Sequence, residues 1–101
     1  MKPEILMSEQ GQKDLLLIDV RSPWEYRTGH VVGAVNLPLW KVVAAKRLLL
    51  QGGASQVVLY CEHGPRAFLA GFLLRLVGIR NIDYLDGHMM RWKNEQRPLA
   101  K

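Results

Sequence analysis

A single cysteine, Cys61, lies in the stretch "VVLYCEHGPRAFLAGFLL" (residues 57–74). An apolar run ends on it, Gly64 and Pro65 follow, and Arg66 stands five positions on. A sulfur in this place has two readings. As a thiol it is a small hydrophobe closing a strand; as a thiolate it is a nucleophile. Position alone leaves both open, and the neighbouring residues favour the second. A helix starting after the loop presents unpaired N–H groups and a partial positive charge. A strand–loop–helix turn aims such amides inward as an anion-binding nest. Arg66 adds a permanent cation, Gly64 allows the backbone angles a tight loop needs, and Pro65 suits the first helical position.

The elements that position this loop are legible on either side of it. "LLLIDV" (15–20) and "QVVLY" (56–60) read as buried strands, as does the shorter "NIDYL" (81–85). Ser22, Pro23 and Glu25 form a capping box, so a short helix runs to about Thr28 and Gly29 ends it. Gly33 marks a turn before a very short strand, "AVNL", and residues 38–51 look helical, with Gly52-Gly53 as the stop. "RAFLAGFLLRLVG" (66–78) reads as a helix apolar on nearly all faces and closed by Gly78. Such a helix is expected to be covered on more than one side. "GHMMRWKNEQ" opens a terminal helix. Alternating strands and helices predict an α/β fold with a central, mostly parallel sheet and helices on both faces. In such sheets chemistry sits at the C-terminal strand ends, where Cys61 falls.

Length and composition set the outer bounds. A chain of 101 residues is expected to be a single domain, 1–101, and 49% apolar residues suffice for its core. One cysteine makes no internal disulfide and calls for no oxidising compartment. The N-terminal stretch has no apolar signal segment and no run is long enough to span a bilayer, so a cytoplasmic protein without membrane attachment is expected. The net charge of +5 is scattered, which argues against nucleic acid and suits small anions. Three scattered histidines and one cysteine have no metal-ligand spacing.

Three motifs in order carry a family resemblance. "LIDVRSPWEYRTGHVVGAVNLPL", the loop "CEHGPRA" and "YLDGHMMRW" together resemble the rhodanese-like sulfurtransferases over roughly Leu15 to Pro98. The resemblance implies the rhodanese-like three-layer fold and sulfane-sulfur transfer without metal or organic cofactor. Cys61 would take sulfur from thiosulfate or a persulfide donor, carry it as a persulfide, and pass it to cyanide or a thiol. Arg66 would shape and polarise the loop. Glu62, His63, Gly64, Pro65 and Ala67 would line it, with every amide but that of Pro65 facing the sulfur. A monomer or weak dimer is expected. Four residues separate Cys61 from Arg66, where tyrosine-phosphatase-type loops place five. That disfavours phosphatase and arsenate reductase chemistry. A non-catalytic binding or regulatory module is the other alternative.

Several residues depart from the family pattern or invite a second role. Glu62 places an anion beside the thiolate, so weakened thiosulfate affinity is expected. Pro65 removes one N–H from the nest. His63 and His88, the latter where the family carries a second glycine, are candidates for the pocket and equally for exposed loop positions. Asp19 is a candidate for the pocket mouth, or accepts local backbone hydrogen bonds, while Arg21 and Glu25 are expected to pair and brace their turn. Trp24, Trp40 and Trp92 read as core or rim aromatics, and Met89 and Met90 as gap-filling residues or, alternatively, as lining of the substrate entrance.

Overall fold

A computed structural model describes residues 1–9, 15–45, 49 and 56–101. The chain forms α1 (Pro3–Glu9), β1 (Leu15–Asp19), α2 (Pro23–Thr28), β2 (His30–Val31) and β3 (Val35–Asn36). It continues with β4 (Gln56–Tyr60), α3 (Pro65–Leu76), β5 (Ile82–Tyr84), α4 (His88–Asn94) and β6 (Leu99–Ala100). The main sheet has the order β3-β1-β4-β5 with every pair parallel, β1 and β4 being aligned from Leu15↔Gln56 to Asp19↔Tyr60. A small antiparallel pair, β2 with β6, sets His30 opposite Ala100.

Both faces of this sheet are buried, and strand alternation divides its side chains between two cores. Ile18, Val57, Leu59 and Cys61 face α3, packing with Ala67, Ala70 and Leu74. Leu17, Val58 and Tyr60 face the other way, onto Leu6 of α1 and Met89 and Trp92 of α4. The parity that puts Val57 and Leu59 under α3 carries Cys61 there too.

The capping box at Ser22 is present in full, with Pro23 opening α2 and Gly29 closing it. The segment from Pro38 differs from its helical expectation. A 3-10 turn spans Leu39–Lys41 and turns continue to Ala45, because the amides of Leu37 and Leu39 are drawn to the carbonyls of Asp19 and Val20. The remainder of that expectation, residues 46–48 and 50–53, lies outside the described residues. Helix α1 and strand β6 lie beyond the elements read from the sequence.

Helix α3 corrects a second expectation. It is covered on one side only, by its small residues: Ala67, Ala70 and Gly71 are buried with Leu74, whereas Phe68, Leu69, Phe72 and Leu76 are exposed. The physical reason is close approach. A Cβ on Gly71 would overlap the Tyr84 hydroxyl, so small residues let the helix lie near β5 and the bulky ones remain outside. Among the aromatics, Trp92 is core, but Trp24 and Trp40 stand in solvent. Among the described residues, no helix is long and apolar enough to cross a membrane.

Candidate active site

Cys61 follows β4 directly, and its side chain is buried at 1% exposure beneath the first turn of α3. Gly64 caps that helix with φ of +130°, an angle that side chains rarely adopt, and its amide N–H donates to Cys61 Sγ at 2.9 Å. Pro65 occupies the first turn, so its missing N–H costs the helix nothing. The loop thus holds the sulfur with a backbone dipole, the kind of donor that favours a thiolate or a bound persulfide. Among the described hydrogen bonds, the Gly64 amide is the one directed at Sγ.

The other wall is the start of α4. Gly87 turns the chain at φ of +75°, and the free N–H groups of Met89 and Met90 donate to the carbonyls of Cys61 (3.0 Å) and Glu62 (3.1 Å). Orphan amides of a helix start are thereby satisfied by the loop itself. In return the Cys61 N–H donates to Nδ1 of His88 at 3.3 Å. His88 is therefore buried against the loop, while His63 is exposed. Both border an open groove of about 490 Å³ whose other sides include Phe68, Tyr84, Asp83 and Asp86.

Charges around the loop are paired. Arg66 grips Glu25 with two hydrogen bonds, 2.7 and 3.0 Å, and Glu25 also accepts from the amide and hydroxyl of Ser22. The Arg66 guanidinium, followed by Ser22, holds the Glu25 carboxyl down at about 2 despite the opposing effect of burial. Glu25 in turn raises the Arg66 pKa, against the opposing effect of burial. Glu62 pairs with Arg21 (3.2 Å) and Lys93 (3.2 Å).

Arg21 does not pair with Glu25. It turns inward onto Asp19 through Nε and Nη2, at 3.0 and 2.9 Å, and Nη2 also donates to the Gly29 carbonyl at 2.7 Å. Burial opposes the Arg21 charge, but Asp19, Tyr60 and Glu62 raise its pKa above the ordinary value. Asp19 is 0% exposed and is not among the residues that line the groove beside His88: the Tyr60 hydroxyl and the Arg21 amide also donate to it. Burial, then the Asp19 charge, push the Tyr60 pKa up, so its hydroxyl stays a donor. A carboxylate taken out of water needs a cation of matching geometry, and Arg21 supplies the planar fork. Asn36 and His30 hold backbone, Asn36 through the carbonyls of Asp19 and Arg21 and His30 through Nδ1 against the Tyr26 carbonyl (2.8 Å), with its ring stacked on that of Tyr26. Among the described residues, no group of three or more His, Cys, Asp or Glu is placed to hold a metal ion.

Sequence reasoning did not reach the Glu25–Arg66 clamp, the Glu62–Lys93 pair or the His88 contact to the Cys61 amide. These partners lie 41, 31 and 27 residues apart, and no local pattern links them.

The comparisons with known proteins agree with this geometry. The family model described as "Rhodanese-like domain" matches residues 2–95. Protein slr1261 of Synechocystis, which is uncharacterized, is 32% identical over 99 residues, covering 98% of this chain and 54% of that protein. A putative mitochondrial thiosulfate sulfurtransferase of Schizosaccharomyces pombe is 32% identical over 96 residues, covering 84% of this chain and 68% of its own. The chain thus spans about half the length of the first and two thirds of the second. A rhodanese-related protein from Thermoplasma volcanium superimposes with a TM-score of 0.79 at 25% identity, over 99% of this chain and 95% of its own. The human single-domain sulfurtransferase TSTD1 shares the fold, with a TM-score of 0.77 at 24% identity over 94% of this chain and 95% of that one. A parallel sheet that delivers a cysteine into a six-residue loop, and a family match over nearly the whole sequence, lead to one assignment: the chain belongs to the rhodanese-like domain family.

Proposed function

We propose that this domain is a sulfurtransferase that carries sulfane sulfur on Cys61. The Cys61 thiolate attacks the outer sulfur of thiosulfate, or of a persulfide donor. The new Cys61–sulfur bond forms as the donor's S–S bond breaks, and the electron pair leaves with sulfite from thiosulfate or with the thiolate of a persulfide donor. A thiophilic acceptor, cyanide or a thiol, then takes the outer sulfur and returns Cys61 as the thiolate. The observation that carries this reading is the Gly64 amide aimed at Sγ at 2.9 Å. It is a fixed dipole in a site closed to bulk water, where such interactions are strongest. Burial has a second use, because a persulfide shielded from solvent survives between its two half-reactions. Arg66 acts by shaping the loop through Glu25 and by its charge. Glu62, held by Arg21 and Lys93, has less anionic effect on the donor than a free carboxylate would.

The same burial favours one competing reading, a rhodanese-like module that binds a partner without turnover. Phosphatase or arsenate reductase chemistry is disfavoured by the four-residue spacing between Cys61 and Arg66. Intact-mass measurement after incubation with thiosulfate separates the three. The parent protein is expected to gain one sulfur and lose it to cyanide, with no gain in Cys61→Ser. No adduct from thiosulfate or from an organic persulfide would leave the binding module standing. Phosphate released from an aryl phosphate would end the sulfur assignment.

A further inference from the structure

His88 has three features that the sulfur-transfer scheme leaves unused. Its backbone sits at φ of +54°, in a region that favours glycine and asparagine. Its Nδ1 lies 3.3 Å from the Cys61 amide nitrogen, in a buried contact. Its ring stands edge-on to Phe68, with centroids 5.5 Å apart, and a Cβ built on Gly64 would come within 3.2 Å of Nε2. An amide N–H donates only to an unprotonated ring nitrogen, so Nδ1 is bare and the single ring proton is on Nε2.

We propose that His88 is a positioning residue for Cys61: its neutral imidazole holds the Cys61 amide through Nδ1 and abuts Gly64. The two residues that define the sulfur's location, Cys61 by its backbone and Gly64 by its donated N–H, are thus braced by one side chain. The proposal rests on reading Cys61 as the reactive sulfur. Its consequence is a loop whose geometry depends on the protonation state of one imidazole. A protonated Nδ1 carries a hydrogen toward the Cys61 N–H and the contact is lost. Burial lowers the His88 pKa from its ordinary 6.5; Asp86 in the preceding turn pulls it up, while the Met1 amino group and His63 push it down. The brace is therefore intact at neutral pH and is lost as the pH falls through this lowered value.

Two substitutions separate positioning from mere packing. His88→Gly relieves the positive φ and removes the acceptor; His88→Asn suits the same backbone and places an amide oxygen near the position of Nδ1. The readout is alkylation of Cys61 by iodoacetamide, which involves no sulfur donor and so stands or falls apart from the transferase reading. At neutral pH, His88→Gly is expected to react about five-fold more slowly than the parent while remaining folded, the scale of one lost hydrogen bond. His88→Asn is expected to restore most of the rate. As the pH falls through the lowered His88 pKa, the parent's rate falls more steeply than loss of thiolate alone requires, and the Asn variant lacks that extra fall. Nitrogen-detected NMR of the parent should show Nδ1 unprotonated and Nε2 protonated. A Gly variant as reactive as the parent, an Asn variant as slow as Gly, or a proton on Nδ1 would each overturn the proposal.

Discussion

Two arginines flank the cysteine loop, each gripping a carboxylate with two nitrogens, in opposite surroundings. Arg21 and Asp19 are almost wholly buried, at 1% and 0% exposure, whereas Arg66 and Glu25 keep 38% and 30% of their side-chain surface. The buried pair lies between β1 and β4, locked to Tyr60, Gly29 and Glu62. The outer pair ties the cap of α2 to the first turn of α3. The same chemistry therefore serves two ends. Inside, desolvation makes an unpaired partner intolerable, so the pair holds the fold. Outside, solvent screens the charges and the pair contributes little stability, which accords with the loop-shaping role proposed for Arg66.

Breaking the inner pair should have the largest effect. Arg21→Met leaves Asp19 buried without its cation and is expected to cost about 3–5 kcal/mol in urea unfolding. A loss under about 1 kcal/mol would erase the distinction between the two pairs. Arg66→Ala should behave in the opposite sense. Its unfolding free energy changes by less than about 1 kcal/mol, while sulfur loading of Cys61 by thiosulfate, followed by mass, slows about ten-fold. Equal effects on both readouts would make Arg66 another fold-holding group. The smallest effect is a pH dependence. The Glu25 carboxyl is held at about 2 instead of its ordinary 4.5, first by Arg66. Its folded pKa is depressed, so the stability it contributes is complete above 4.5 and is lost as pH falls through about 2. Thermal melting of Glu25→Gln should lack that part of the decline, and parallel curves for the two proteins would contradict the clamp.

The legible parts of this molecule are those governed by neighbours in the chain. "QVVLY" is β4 residue for residue, and Ser22, Pro23, Glu25 and Gly29 delimit α2 as capping chemistry requires. The position of Cys61 at a strand end and of Pro65 at a helix start follow from the same local rules. Helix α3 shows where such reasoning stops. Its apolar content suggested cover on several sides, yet the packed face is mostly alanine and glycine with Leu74, because proximity to β5 selects for small size over hydrophobicity. Arg21 and Glu25 are four residues apart and of opposite charge, but Arg21 is claimed by Asp19, two residues back, and Glu25 by Arg66, 41 residues on.

By itself the sequence determined the α/β alternation, the capped start of α2, the four-residue spacing from Cys61 to Arg66 and the resemblance to rhodanese-like domains. Those follow from backbone propensities, from hydrophobic periodicity and from local spacing, all readable along one dimension. Only the tertiary structure decided that Glu62 turns to Arg21 and Lys93, that Asp19 is sealed in the interior, and that His88 lies against the Cys61 amide. Charge pairing and burial are set by which surfaces meet when the sheet closes, and residues tens of positions apart compete for the same partners on equal terms.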